Sequence, residues 1–449
     1  MRLAGPESRA IAEAMLRLKH SLEAGCAVFG ELIDPESGDR MDEVVVTYFA
    51  SPHSYTTDDI IEISAHGAPV VLGHIVEMAM ARGARLAEPG EFTMRAFHHG
   101  RIDLTQAEAV RDLIESQTLF QAKAAAQQLD GALSKRLKPI KEKLVQLIAV
   151  LEAGVDFAED DVAVMPSAQI LERLIEIHTP LLKLAESFQY GKVVHQGMTL
   201  AIAGPPNVGK SSIFNRLVER DRAIVTATPG TTRDLVTETV SLGGIPLRLI
   251  DTAGIRTAMD EAEGMGIRKS YEALAEADLV LLVLEAGDVN TGEGWREWLA
   301  GEPFAGERGE LAKALEGRKR ILVGNKVDLL PGGRRATRRG NGDEMPGLYT
   351  SAVTGEGIEE LRERILSYIR GEGGAEGETG FLTNVRQHSL VREGLNGLEA
   401  ARRAVEEKIP HEMLLMDLYS GLRPLDGITG QTTTDEVLHR IFSSFCIGK

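Results

Sequence analysis

Residues 204–211 read Gly-Pro-Pro-Asn-Val-Gly-Lys-Ser, which is the complete G-x-x-x-x-G-K-S pattern of a phosphate-binding loop. Gly204 and Gly209 allow the backbone to turn, so that successive N–H groups can point at phosphate oxygens. Lys210 supplies a positive charge to the β- and γ-phosphates, and the Ser211 hydroxyl is a ligand for Mg²⁺. The pattern therefore predicts a site for a nucleoside triphosphate and magnesium.

Further motifs follow in the order typical of a guanine-nucleotide-binding domain. They are Thr231-Thr232, Asp251-Thr252-Ala253-Gly254, Asn325-Lys326-Val327-Asp328 and Ser351-Ala352-Val353. Thr232 is the predicted second Mg²⁺ ligand, and Asp251 is predicted to hold the metal through water. The Asp328 carboxylate can accept hydrogen bonds from N1–H and the 2-amino group of guanine, and adenine offers neither. Each motif alone fits an ordinary structural role, but their conjunction predicts GTP as the ligand.

The predicted GTP contacts comprise these motifs and the loop that precedes Thr232. They are Gly204, Asn207, Val208, Gly209, Lys210, Ser211, Ser212, Thr226, Ala227, Thr228, Pro229, Gly230, Thr231, Thr232, Asp251, Thr252, Ala253, Gly254, Asn325, Lys326, Asp328, Ser351, Ala352 and Val353. Ile255 follows Gly254, at the position where a Ras-type domain has a glutamine that orients water. Because isoleucine cannot orient water, either hydrolysis is poor or another group must do that work.

The segments around the motifs have the patterns of a doubly wound α/β domain. The predicted strands are 198–203, 235–242, 245–250, 279–284 and 320–324, with a hairpin turn at Gly243-Gly244. A helix is predicted from Ser212, with Ile213, Phe214 and Leu217 on one face.

Composition limits the class of protein. The chain has 449 residues, 43% hydrophobic content and a net charge of −17, which describes an ordinary globular protein of about two to four domains rather than a general nucleic-acid coat. The two cysteines, Cys26 and Cys446, lie at opposite ends and form no disulfide framework. We find no signal peptide or membrane span in the sequence, and we expect a cytoplasmic protein.

The pattern along the chain predicts a multidomain protein with α/β and all-α parts. We expect an N-terminal α+β domain at 1–97, a helical domain formed by 98–196 and 381–449, an inserted Ras-like GTPase domain at 197–370, and a flexible linker at 371–380. The expected details are a helix through Ile11, Met15, Leu16 and Leu18, strands at 44–49 and 60–64, a helix at 70–81, an apolar helical stripe from Leu133 to Leu151, and a capping box from Thr433 to Glu436 that opens the last helix.

Several further stretches are typical of one family. They are Ser54-Tyr-Thr, Asp59–Ser64, His66-Gly67, Glu88-Pro-Gly-Glu-Phe92, Arg95-Ala-Phe97, Arg101–Glu108 and the ending Phe445-Cys-Ile-Gly-Lys449. With these residues the chain resembles the tRNA-modification GTPase family MnmE (TrmE) over essentially its whole length.

The resemblance implies a homodimer that works with a flavin-dependent partner, MnmG, in a heterotetramer. Such proteins add an aminomethyl or carboxymethylaminomethyl group at carbon 5 of the wobble uridine of certain tRNAs. The one-carbon unit comes from a tetrahydrofolate, in the 5,10-methylene or 5-formyl form. Arg2, Glu62, Arg101 and Lys449 match the positions that contact folate. For Cys446, a chemical role and a small buried cysteine remain equal alternatives.

The resemblance also implies activation by potassium. Asn207 matches the side-chain ligand of K⁺, and Thr226, Thr228 and Thr231 lie in the loop that surrounds the ion. Glu263 matches the acidic residue that orients water, so the expected catalytic residues are Glu263, Lys210 and Asn207. The chain departs from the family at Ala227, where aspartate is usual, and at its start, where the opening strand and a Pro-Gly-Arg-Gly loop are missing. We expect a truncated or misassigned start, and a weaker N-terminal sheet, folate site and dimer if the strand is truly absent.

Two other interpretations remain open at this point. A ribosome-assembly GTPase switch shares every nucleotide motif, but such proteins usually carry an RNA-binding module and a more basic balance. A folate-dependent, dimer-forming scaffold, with all chemistry on the partner, overlaps the first interpretation.

Overall fold

The computed structural model describes residues 1–156, 165–221, 237–251, 274–289, 315, 317–330, 348–370 and 379–445. These residues form two compact units, which are described separately. The first comprises Met1–Arg111, Ala126–His178 and Leu390–Lys449, and the second comprises Asp112–Ala125 and Thr179–Ser389. The predicted division into domains and linker stays a prediction.

The first unit contains a five-stranded antiparallel sheet in the order β1-β5-β4-β3-β2. Its strands are β1 (Arg2–Ala4), β2 (Leu16–Leu18), β3 (Ala27–Ile33), β4 (Arg40–Phe49) and β5 (Ile60–Ser64). Because alternate residues of a strand point to the same face, Val44, Val46 and Ile61 lie in one buried cluster. Ile75 and Met78 of a helix join this cluster and cover the sheet.

Helices make up the rest of the first unit, and several continue into the second. They are α1 (Ser8–Glu13), α2 (Pro69–Met80), α3 (Glu91–His98), α4 (Leu104–Glu115), α5 (Leu119–Leu129), α6 (Ala132–Asp156) and α7 (Ser167–Glu186). The apolar stripe of α6 is buried from Leu133 to Leu151, which confirms the prediction from its three- and four-residue spacing.

The second unit contains a six-stranded sheet in the order β11-β10-β9-β6-β8-β7. Its strands are β6 (Met198–Ala203), β7 (Thr237–Leu242), β8 (Ile245–Asp251), β9 (Leu279–Glu285), β10 (Arg320–Asn325) and β11 (Leu348–Tyr349). All neighbours pair in parallel except β7, which is antiparallel to β8. The helices of this unit that come after α7 are α8 (Phe188–Gln196), α9 (Lys210–Asp221), α10 (Ala286–Val289) and α11 (Ile358–Arg370). Helix α12 (Val385–Glu406) begins in the second unit, and α13 (His411–Thr429) and α14 (Asp435–Phe442) belong to the first.

The parallel sheet is buried on both faces, as a doubly wound fold requires. Every residue from Leu279 to Leu284 on β9 is buried. Ile213, Phe214 and Leu217 of α9 are buried together against the sheet, as their spacing predicted. The predicted α/β fold class is confirmed. Because the carboxyl ends of parallel strands meet at one edge, the ends of β6, β8 and β10 lie together there.

Two local predictions are wrong. The helix predicted through Leu18 ends at Glu13, and Leu16–Leu18 instead pair with β3. The spacing of apolar residues fits a helix, but the backbone hydrogen bonds to β3 and partial burial against the sheet core stabilise a strand. The predicted capping box is also absent. Helix α14 begins at Asp435 with Thr434 as N-cap, and the Thr433 hydroxyl donates instead to the Gly427 carbonyl at 3.2 Å.

Candidate functional sites

The phosphate loop joins the end of β6 to the start of α9. Gly204 and Gly209 have φ of +145° and +93°, a region that side chains rarely adopt. A Cβ on Gly204 would lie 2.0 Å from the Val283 carbonyl oxygen, and one on Gly209 would lie 2.3 Å from Asn325 Nδ2. Both positions therefore require glycine, which allows the backbone to pass this close to its neighbours.

Lys210 and Ser211 open helix α9 and face this loop. Lys210 is buried, and its ammonium donates to the carbonyls of Gly204 at 3.0 Å and Pro205 at 2.6 Å. The Ser211 hydroxyl donates to Oδ2 of the buried Asp251 at 2.7 Å, which brings together the two oxygen groups predicted to serve magnesium. Hard oxygen donors of this kind suit Mg²⁺, so the residues present fit the ion.

Asn325 connects three segments of the site. Its amide Nδ2 donates to the Val208 carbonyl at 2.8 Å, while its Oδ1 accepts from Thr350 Oγ1 at 3.2 Å and from the Ala352 N–H at 3.1 Å. Asn325 is 2% exposed. Its amide thus ties the phosphate loop to the Ser351-Ala352 segment. The sequence predicted the Asn325 position but did not identify Thr350 as its partner.

The motif predicted to recognise the guanine base continues from the end of β10. Lys326 has φ of +67°, and Asp328 lies in a short 3-10 helix with its side chain exposed. Arg216 on α9 donates to the carbonyls of Ala352 and Val353, each at 2.8 Å, and so holds the segment that follows β11. Sequence reasoning missed Arg216, since an arginine in the middle of a helix carries no motif.

The remaining predicted GTP, potassium and catalytic residues lie outside the described part of the chain. They are Thr226, Ala227, Thr228, Pro229, Gly230, Thr231, Thr232, Thr252, Ala253, Gly254 and Glu263. Cys446 and Lys449 lie outside it as well. Of the described residues, Asn207 lies in the phosphate loop with φ of +64°.

A second site lies in the first unit, in a cavity of about 690 Å³. Arg2, Glu62 and Arg101, which are far apart in sequence, all line it. The antiparallel pairing of β1 with β5 puts Arg2 opposite Glu62, and Arg2 Nε donates to Glu62 Oε1 at 2.7 Å. The structure thus brings together the three described residues that the family resemblance assigned to folate.

Both arginines of this cavity lie over the ring of Tyr55. Its ring centroid is 5.1 Å from Cζ of Arg101 and 5.9 Å from Cζ of Arg2, distances typical of cation–π contacts. The Tyr55 hydroxyl hydrogen-bonds Thr93 Oγ1 at 3.0 Å, and Thr93 is fully buried. The Ser54-Tyr-Thr motif was the only sequence signal for Tyr55, and no signal pointed to Thr93.

His99 holds the loop that carries Tyr55. Its Nδ1 lies 2.5 Å from the Thr56 carbonyl and 2.8 Å from Thr57 Oγ1. Because a carbonyl oxygen only accepts, Nδ1 carries the hydrogen. Thr57 has φ of +66°, an uncommon conformation for a β-branched residue. The surrounding hydrogen bonds therefore fix this loop in a strained conformation.

Glu91 is the first residue of α3, the helix that also carries Thr93. Its carboxylate accepts from Arg85 Nη1 at 2.8 Å, Arg95 Nη2 at 2.7 Å and the Glu88 N–H at 2.9 Å. Burial raises the pKa of the Glu91 carboxyl, but the hydrogen bonds from Arg85, the Glu88 backbone and Arg95 outweigh burial and lower the pKa to about 2. Glu91 is therefore ionised at neutral pH.

The loop after β6, the Ser211–Asp251 pair and the motif after β10 define a phosphate-loop GTPase. Comparisons with known proteins identify its family. The model of the "MnmE helical domain" matches residues 104–446, and that of the "GTP-binding protein TrmE N-terminus" matches residues 1–101. The chain belongs to the family of tRNA modification GTPases MnmE.

Individual relatives agree with this assignment. The tRNA modification GTPase MnmE of Koribacter versatilis is 63% identical over 452 residues, covering 100% of this chain and 95% of the relative. That of Aquifex aeolicus is 38% identical over 450 residues, covering 100% of this chain and 96% of the relative. The solved G domain of T. maritima FeoB is 28% identical and covers 38% of this chain and 98% of its own, with a TM-score of 0.25.

The predicted family and enzyme class, a GTP hydrolase that acts in tRNA modification, are confirmed by this membership. The membership favours tRNA modification over the ribosome-assembly alternative. Among the helices that the structure describes, none is long and apolar enough to cross a membrane.

Proposed function

We propose that the chain is a potassium-activated GTPase that modifies carbon 5 of the wobble uridine of certain tRNAs, together with the flavin-dependent partner MnmG. The added group is of the aminomethyl or carboxymethylaminomethyl type. One observation carries the proposal: a chain with a phosphate-loop site also has a cavity lined by Arg2, Glu62 and Arg101.

In the nucleotide site, Lys210 and the N–H groups of the phosphate loop bind the phosphates, and Asp328 reads guanine. Ser211, Thr232 and Asp251 hold Mg²⁺, and Asn207 with Thr226, Thr228 and Thr231 holds K⁺. Held by these residues, Mg²⁺ and K⁺ would supply positive charge against the charge that develops on the β- and γ-phosphates. Glu263 orients the attacking water, which Ile255 cannot do. Asn207 supports this assignment because it lies in the phosphate loop, with φ of +64°, and its side chain carries a neutral amide oxygen.

In the second site, a tetrahydrofolate in the 5,10-methylene or 5-formyl form supplies the one-carbon unit. The cavity has a volume in the range of small-molecule sites, about 300–1,000 Å³. The Glu62 carboxylate can accept hydrogen bonds from the 2-amino edge of a pterin, as Asp328 does from guanine. The Arg101 guanidinium suits the carboxylates of the glutamate tail. Lys449 completes the set, and Cys446 beside it is a candidate for chemistry.

The assembly that we propose is a homodimer, paired through the N-terminal domains, which binds two copies of MnmG to give a heterotetramer. The tRNA binds mainly through that complex, so the net charge of −17 on this chain is compatible with an RNA substrate. A tRNA substrate and a flavin-dependent partner place the proposed activity in the cytoplasm.

Potassium dependence tests the GTPase part of the proposal. Turnover should be measured in potassium, sodium and rubidium chlorides at matched ionic strength, for the wild type and Asn207→Ala. A cage of oxygens sized for K⁺ holds the smaller Na⁺ poorly, so we expect fast turnover in K⁺ and Rb⁺ only, and loss of the K⁺ response in Asn207→Ala. Equal rates in Na⁺ and K⁺, or a full K⁺ response in the variant, would contradict the mechanism.

A further inference from the structure

The two arginines of the N-terminal cavity differ in whether a carboxylate neutralises their charge. Arg2 forms an ion pair with Glu62, so its charge is already compensated within the protein. Arg101 has no carboxylate within ion-pair distance among the described residues, and its guanidinium lies over the Tyr55 ring. Of the two, Arg101 therefore has the charge that is available to an anionic ligand.

Tyr55 is fixed in a way that suits a supporting role for Arg101. Its hydroxyl is anchored to the buried Thr93 of α3, and the loop around it is held by His99. A guanidinium that stacks on an aromatic face keeps the N–H groups of its edge free for a carboxylate. The ring thus limits the freedom of Arg101 without occupying its hydrogen-bond donors.

We propose that Tyr55 is a positioning residue that acts through Arg101 to hold the glutamate carboxylates of the folate. The inference rests on the folate site proposed above and assigns to Tyr55 the carboxylate end of the ligand rather than the pterin end. Glu62, with its partner Arg2, then serves the pterin end. Tyr55 thereby contributes to discrimination between a folate with its glutamate tail and a free pterin.

The test measures binding of 5-formyltetrahydrofolate and of 6-methyltetrahydropterin, which lacks the glutamate tail, to the full-length protein by calorimetry. We expect Tyr55→Leu to weaken 5-formyltetrahydrofolate about tenfold, the usual scale of a cation–π contact in a partly desolvated site. Binding of the pterin should change less than about twofold, because the pterin makes no contact with Arg101 and because Arg2, at the pterin end, is held by its ion pair with Glu62 rather than by its 5.9 Å contact with Tyr55. In an Arg101→Ala background, Tyr55→Leu should weaken the folate no further.

Two controls separate positioning from stability. Tyr48, on β4, also has a cation over its ring, with Arg9 Cζ at 5.4 Å, and Tyr48→Leu should leave folate binding unchanged. Replacing Tyr55 by phenylalanine and by 3,4,5-trifluorophenylalanine compares rings of nearly equal shape, so it covers the case in which Tyr55→Leu does not fold. We expect the fluorinated ring, with its weaker quadrupole, to bind the folate about three- to tenfold less tightly than phenylalanine.

The outcomes are distinguishable. If the wild type fails to bind 5-formyltetrahydrofolate, the proposed folate site is wrong, and this inference, which depends on it, is wrong as well. If the wild type binds and the phenylalanine and trifluorophenylalanine proteins bind equally, Tyr55 does not act through its ring, and this inference alone is overturned. Equal weakening of folate and pterin by Tyr55→Leu would overturn it too, because the effect would extend to the whole cavity.

Discussion

The two sites differ in which of their side chains are buried. In the phosphate-loop site, three of the predicted nucleotide contacts are buried and hydrogen-bonded: Lys210 is 7% exposed, Asp251 3% and Asn325 2%, whereas Asp328 is exposed. In the N-terminal cavity, the side chains of Arg2 and Glu62 are each 35% exposed. Of the buried polar residues in this region, Ser54 lines the cavity, while Thr93 and Glu91 lie on α3, from which Thr93 hydrogen-bonds Tyr55.

This difference has a consequence for specificity. Removing the hydrogen-bond partner of a buried polar group costs much more free energy than removing that of an exposed group, because water cannot replace the lost hydrogen bond. Substitutions of the buried groups Lys210, Asp251 and Asn325 should therefore weaken nucleotide binding by large factors. Substitutions among the exposed residues of the cavity should have moderate effects on binding, and larger effects are expected from its buried support.

The largest effect is expected at Asp328. In Asp328→Asn one acceptor that faces the guanine amino group becomes a donor, and a site built on such hydrogen bonds rejects a mismatched base by about 10⁴-fold. We expect GTP affinity to collapse and affinity for xanthosine triphosphate to rise, as measured by equilibrium binding of the two nucleotides. Unchanged GTP affinity would show that the base is recognised elsewhere.

The next largest effect is expected at Glu91, a buried residue at the start of α3. The pKa of Glu91 is lowered from 4.5 to about 2 on folding, and a difference of that size corresponds to about 3 kcal/mol of stability when the group is ionised. A lowered folded-state pKa stabilises the protein above pH 4.5, and this contribution is lost as the pH falls toward 2. Glu91→Gln should therefore destabilise α3 at pH 7.

Amide hydrogen exchange of α3 in the full-length protein measures this local stability at pH 7 and at successively lower pH. The gap between wild type and Glu91→Gln should narrow as the pH decreases below 4.5. Glu88→Gln is the matched control, since its exposed side chain lies only three residues away. A gap that stays constant with pH would mean that the Glu91 charge does not stabilise the helix.

A smaller effect is expected on the chemical step of the nucleotide site. Glu263→Ala should leave GTP affinity within a few-fold but slow single-turnover hydrolysis by at least about 10²-fold, the usual scale for a positioned acid or base. Glu261→Ala, two residues away, should hydrolyse GTP at nearly the wild-type rate. If the two variants exchange these behaviours, the assignment of the water-orienting residue is wrong.

The two sites also differ in how much of them the sequence predicts. The phosphate loop is contiguous, and its glycines, Lys210 and Ser211 are fixed by local backbone geometry, so their types and spacing are diagnostic. The cavity is assembled by the pairing of β1 with β5 and by α3. Arg2, Glu62 and Arg101 were found through a family resemblance, whereas Thr93 and His99 were not found at all.

The same reasoning explains the errors in the fold. The spacing of Ile11, Met15 and Leu18 fits a helix. Residues 16–18 form a strand instead because they pair with β3, and local spacing does not show that such a partner strand exists. The stripe on α6 was predicted correctly because a 25-residue amphipathic segment carries its own signal over several turns. The structure of a long amphipathic segment can be predicted from its own sequence, whereas that of a short segment depends on the strand or helix that it packs against.

The central claim is that one chain carries a nucleotide site and a separate folate site, and that tRNA modification needs both. The direct test measures GTP hydrolysis and tRNA modification in the same complex with the flavin-dependent partner, for wild type, Lys210→Ala and Arg101→Ala. We predict that Lys210→Ala loses both activities, whereas Arg101→Ala hydrolyses GTP at nearly the wild-type rate but loses most of its tRNA modification. Full modification by Arg101→Ala in the presence of limiting tetrahydrofolate would contradict the account.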